Sequence, residues 1–184
     1  MLQLFTAAAH ANTRGSWTAP EEADIGGGAM PYASSSQLLM PINLKWALLW
    51  EHPHTNNTVW LARATPRAWL AEGETIGVSD APCSLGRVSY SLHSELDSAK
   101  CITATVAITP HAAGPGRAPA AELGGGAGAV LRLRTPGHRA IASVHAGAVS
   151  LPASRWNCTQ ETVSFRAGAE MAQLTAAPLR VCYA

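Results

Sequence analysis

The chain has 184 residues, with 13 Lys and Arg against 12 Asp and Glu, a formal net charge of +1 and a pI near 7.8. Its basic residues are scattered, with no basic run and no interleaved aromatics, which argues against nucleic acid as a partner. Only 14% of residues are charged and 47% are apolar, a balance for a compact domain rather than a disordered one. No run of about 18 apolar residues is present, so no membrane partner is expected.

Leu2 to Ala11 is short, apolar and alanine-rich, and reads as the end of a helix. It lacks the basic start of a signal peptide. Asn12 to Ser36 follows as a long Gly-, Ser- and Pro-rich loop; loops of roughly 25 residues inside compact domains usually do something. Ser34 to Ser36 can cap the next helix through a hydroxyl. That helix, Gln37 to Trp50, is apolar almost all round, with Asn43 and Lys45 as its polar interruptions, so it is expected to be packed on most sides. Pro41 falls near its predicted first turn.

From Thr58 onward the pattern changes to short strands. Thr58 to Arg63 is rich in β-formers, and Pro66 to Leu70 reads as a single turn closed by Gly73. Thr75 to Ser79 is a short strand. Arg87 to Glu95 alternates Val88, Tyr90 and Leu92 against Ser89, Ser91 and His93, the period of a half-buried strand. Cys101 to Thr109 repeats the pattern after a hairpin turn at Leu96 to Lys100. An Ala/Gly/Pro low-complexity insertion occupies 110–128. Strands resume at Ala129 to Arg134, Ala140 to His145, Thr162 to Arg166 and Leu179 to Tyr183. The fold class is therefore mainly β, an antiparallel β-sandwich preceded by one or two helices.

The four cysteines, Cys83, Cys101, Cys158 and Cys182, lack zinc-site spacing and allow three disulfide pairings. Glu51-His52-x-His54 ends the helix at Pro53 and finds no further ligands, so neither metal nor cofactor is expected. Asn56 and Asn157 head formal glycosylation sequons, which are compatible with an extracellular or secretory location.

Four segments in fixed order, Ala64 to Leu70 (ATPRAWL), Ala81 to Tyr90 (APCSLGRVSY), Leu131 to Gly137 (LRLRTPG) and Ser143 to Val149 (SVHAGAV), resemble the C-terminal region of six-hairpin glycosidases. These are (α/α)6-barrel carbohydrate-active enzymes with a trailing β-sandwich. The resemblance implies that 1–57 is the C-terminal end of a truncated helical barrel and that 58–184 is the β-sandwich. The sequence departs from the pattern at Ala146-Gly147, where Asn-Gly is usual, and at Asn157-Cys158-Thr159, where Phe-Asp-Pro is usual. Both departures touch turn chemistry.

Glycoside cleavage needs two carboxyl groups, an acid and a base or nucleophile. In the related glucoamylase-like barrels the catalytic base lies in the loop before the last helix, here Asn12 to Ser36. The resemblance thus makes Glu21 and Glu22 catalytic candidates in a complete parent, with Trp17 and Arg14 as substrate-binding residues. A helix N-terminus at Pro20-Glu21-Glu22 is the structural alternative. The second carboxylate would come from elsewhere in the barrel, so the chain alone is expected to be inactive. Carbohydrate is the expected partner, through the parent barrel. Trp46, Trp50, Trp60 and Trp69 read as an aromatic seam rather than a sugar platform. Arg67 is expected to bond a helix C-terminus or an acid across that seam. A non-catalytic carbohydrate-binding or adhesion sandwich is the alternative function; it would place aromatics such as Tyr90, Trp156, Phe165 and Tyr183 on a wet sheet face.

Overall fold

A computed structural model describes residues 34–51, 58–110, 128–166 and 169–184. The chain divides into two compact units, Met1–Ala47 and Leu48–Ala184. The first is described through helix α1, Ser34–Leu48. The three serines lie inside α1 rather than before it, and Pro41 consequently sits in the helix interior, where its missing amide removes one backbone bond. Ile42, Leu44 and Trp46 are exposed, contrary to the burial that an all-round apolar pattern suggests. The helix also stops earlier than its composition implies. Residues Leu49–Glu51 form strand β1, because their backbones pair with a second strand at Leu49↔Leu61, Trp50↔Trp60 and Glu51↔Val59.

The second unit is mainly β, as the alternation predicts. Its strands are β2 (Thr58–Leu61), β3 (Thr75–Cys83), β4 (Gly86–Glu95), β5 (Cys101–Pro110), β6 (Gly128–Arg132), β7 (Ile141–Ala146), β8 (Val149–Ser150), β9 (Trp156–Asn157), β10 (Thr162–Arg166) and β11 (Leu179–Tyr183). They form a five-stranded sheet, β1-β2-β6-β10-β9, and a six-stranded sheet, β3-β4-β5-β11-β7-β8. Every pairing is antiparallel except β2 with β6, which run parallel from Thr58↔Gly128 to Leu61↔Leu131. A parallel pair needs a long crossover. Here the crossover is the whole β3-β4-β5 meander, built into the other sheet. The two sheets together are consistent with a β-sandwich.

The core follows from the period of two. In β4, Gly86, Val88, Tyr90, Leu92 and Ser94 are buried, while Arg87, Ser91 and His93 are exposed. Across the sandwich, Leu61, Leu131, Val163 and Phe165 of the five-stranded sheet join Val88, Leu92, Ile102, Val144, Leu179 and Val181 of the six-stranded one in one hydrophobic cluster. Each such side chain contributes about 1.5–3 kcal/mol by leaving water. A helix α2, Ala169–Ala176, lies beside β5 and β10 and buries Leu174. Its alanine-rich sequence AEMAQLTA has high helix propensity, and it fills the connection between β10 and β11 that the strand pattern leaves blank.

Cys101 and Cys182 are directly opposed on β5 and β11 and form a disulfide closing 81 residues of chain. The cysteine spacing left three pairings open; strand register selects this one.

Candidate functional site

The resemblance motif Ala64 to Leu70 supplies the centre of the most heavily bonded polar cluster in the second unit. After β2, Ala62 takes a left-handed conformation (φ 54°), and its amide bonds the Leu48 carbonyl at 2.7 Å. The chain then turns at Thr65, whose hydroxyl donates to the Ala62 carbonyl. Pro66 presets the extended entry to a one-turn 3-10 helix, Arg67–Leu70, in which Trp69 N–H bonds Pro66 O at 3.1 Å. Leu70 is fully buried, and Trp69 packs partly buried against the core. This fixes the stem of Arg67.

The Arg67 guanidinium reaches 94 residues along the chain to Glu161, donating from Nη1 to Oε1 at 2.6 Å and from Nη2 to Oε2 at 2.8 Å. Nη1 also donates to the Thr135 carbonyl at 2.7 Å. The fork geometry suits a planar carboxylate and adds direction to charge. Glu161 itself is almost fully buried and sits at φ 56°, a left-handed conformation that costs a non-glycine residue about 1–2 kcal/mol. Two backbone bonds hold it there: its amide donates to Cys158 O at 3.3 Å, and its carbonyl accepts from Leu133 N–H at 2.8 Å. The carboxylate is thus delivered by the turn between β9 and β10, and the guanidinium by the turn after β2.

Three further arginines surround the pair. Arg132 and Arg134, two residues apart on the extension of β6, share a face because the side-chain period is two. Arg132 donates to the carbonyls of Arg63 and Gln160, each at 3.2 Å. Arg134 donates to the Thr65 carbonyl at 3.1 Å. Arg63 lies over the Trp50 ring at 4.4 Å, a cation–π contact. Burial lowers the pKa of Arg132, and the like charge of Arg134 lowers it further, while Glu161 works in the opposite direction. Tyr183 is buried with its hydroxyl unpartnered among the described residues; burial, and then the nearby Glu161 charge, push its pKa up. His138 Nδ1 stands 3.8 Å from Glu161.

This cluster ties structure rather than presenting a reactive group. Each carboxylate oxygen of Glu161 accepts a hydrogen bond from Arg67, and the side chain is almost fully buried, so it is turned to the clasp rather than to solvent. No group of three or more metal-ligating side chains occurs among the described residues. Among the described residues, the other ion pairs of arginine with a carboxylate lie elsewhere: Asp80–Arg87 across the bulge in β3, Asp97–Arg139 joining the β4–β5 turn to the segment before β7, and Arg155–Glu170 linking the turn before β9 to α2.

The candidates Arg14, Trp17, Glu21 and Glu22 lie outside the described residues, as do His52 and His54. Of the tryptophans, Trp50 and Trp60 are cross-strand partners on β1 and β2, and Trp69 packs on the core. Arg67 meets an acid, as expected of it, but the acid belongs to the sandwich itself. Glu161, Arg132, Arg134 and Thr135 were not anticipated as a group. Their available signal was the Leu-Arg-Leu-Arg alternation from Leu131 to Arg134. No family model, curated protein or solved structure matches this chain.

Proposed function

We propose that this chain provides the β-sandwich and adjoining helix of a glycoside hydrolase-like, carbohydrate-active protein, as structural support for a sugar cleft and without activity of its own. The observation that carries the reading is the use made of Arg67. One of the four segments that carry the glycosidase resemblance supplies Arg67 to a part-buried clasp with Glu161 and Thr135, which suits a scaffolding role. The alternative, a sugar-gripping sandwich, calls for aromatics on a wet sheet face. Tyr90, Phe165 and Tyr183 are buried instead, and Trp156 is half-buried against the core, which favours the supporting role.

The test pairs two measurements. The 184-residue chain is offered a panel of chromogenic glycosides and a glycan array; neither turnover nor binding is expected. In the full-length gene product, Arg67→Met is expected to lower thermal stability and the amount of folded enzyme, with KM for the folded fraction unchanged. Turnover by the chain alone, or saturable glycan binding to it, would overturn the proposal, and binding would establish the alternative.

A further inference from the structure

We propose that Asn157 is an N-glycosylation acceptor that carries an N-linked oligosaccharide. The triplet Asn157-Cys158-Thr159 satisfies the acceptor rule of Asn followed two residues later by Ser or Thr, with no proline between. A sequon alone is weak, and the structure adds three observations. First, Asn157, Cys158, Thr159 and Gln160 are all exposed, at the end of β9 and in the turn leading to β10. A bulky hydrophilic chain at this point has room in the folded protein. Second, the Asn157 carboxamide is oriented by its oxygen, which accepts the Gln160 N–H at 2.9 Å. Its Nδ2, the atom that is glycosylated, donates to no group among the described residues. Third, Cys101 and Cys182 are joined in a disulfide, the mark of an oxidising compartment such as the one in which this modification is made.

The transfer forms one bond and breaks one. Nδ2 of Asn157 bonds to C1 of the reducing-end N-acetylhexosamine of a lipid-diphosphate-linked oligosaccharide. The C1–O bond to the diphosphate breaks, its electron pair leaves with the lipid diphosphate, and the proton lost from Nδ2 balances that charge. No redox change occurs.

The position also gives the sugar a physical task. β9 is an outermost strand of the five-stranded sheet, paired on one side only with β10. Exposed strand edges invite pairing with other chains, and proteins blunt them with bulk or charge. An oligosaccharide on Asn157 covers that edge and shields the neighbouring exposed thiol of Cys158.

The experiment is peptide mapping of the full-length protein purified from its own source. Trypsin cleavage after Arg155 and Arg166 releases residues 156–166, which contain the site. This peptide is expected to be heavier by one oligosaccharide, and peptide-N-glycosidase is expected to remove that mass, leaving a carboxylate in place of the carboxamide. Thr159→Ala should abolish the added mass while leaving Asn157 and its bond to Gln160 in place, and Thr159→Ser should retain it. Recovery of the peptide with an unmodified carboxamide would overturn the proposal, as would an oligosaccharide found on Asn56 alone or one that survives Thr159→Ala.

Discussion

Removing the charge of Glu161 tests whether the clasp holds the sandwich together. Glu161→Gln keeps the side-chain shape and turns an ion-paired fork into, at best, one hydrogen bond from the guanidinium to an uncharged amide oxygen. The Glu161 side chain is 6% exposed and that of Arg67 24%. Breaking a buried pair from one side costs about 3–5 kcal/mol, because the remaining charge is left uncompensated. Arg67 keeps some contact with water, which favours the lower end, about 3 kcal/mol. Arg132 works against any further discount, since the Glu161 charge favours its charged form too. With a urea m-value of about 2 kcal/mol/M, the unfolding midpoint should fall by about 1.5 M. Tryptophan fluorescence during equilibrium urea denaturation reads this directly. Arg67→Met and the double variant complete a cycle, whose coupling energy should exceed about 1.5 kcal/mol for groups sharing one bonded network. Arg87→Met, at the exposed Asp80 pair, is the control and should leave the midpoint unchanged. A midpoint shift in Glu161→Gln no larger than the control's, or single-variant losses that simply add, would refute the reasoning.

Two tyrosines, both buried, are expected to respond differently to loss of the hydroxyl. Tyr90 donates to the Leu48 carbonyl at 2.8 Å, so Tyr90→Phe should cost about 1 kcal/mol. The Tyr183 hydroxyl has no partner among the described residues, so Tyr183→Phe should be neutral or stabilising; thermal melts of the two variants decide. Replacing both Cys101 and Cys182 by alanine releases a constraint over 81 residues, for which the chain-entropy account gives about 4.5 kcal/mol. The urea midpoint of this variant should match that of the reduced wild type, and a midpoint equal to the oxidised wild type would contradict it.

Local pattern was enough for the longer strands, but not for the short β1, β8 and β9, which pairing alone defines. Val88, Tyr90 and Leu92 declare their face by alternation, and Pro66 with Gly73 brackets the turn that carries Arg67. These features depend on neighbours within a few residues, where side-chain period and backbone preference act directly. The end of α1 was not legible in the same way. Leu49–Glu51 has a composition that suits either state, and pairing with β2 made it a strand. The parallel joining of β2 to β6 likewise depends on a crossover of three intervening strands.

The candidate site divides along the same line. The sequence by itself determined that a mainly β domain would form, which strand side chains would face its core, and that Arg67 would stand at a turn with either a helix C-terminus or an acid to bond. Only the tertiary structure decided that the acid is Glu161, that Arg132 and Arg134 share its surroundings, and that Cys101 bonds Cys182. Such choices rest on contacts between residues 28 to 94 positions apart. Their geometry exists only once two sheets have closed on a common core, because no local preference of either partner encodes the register that brings them together.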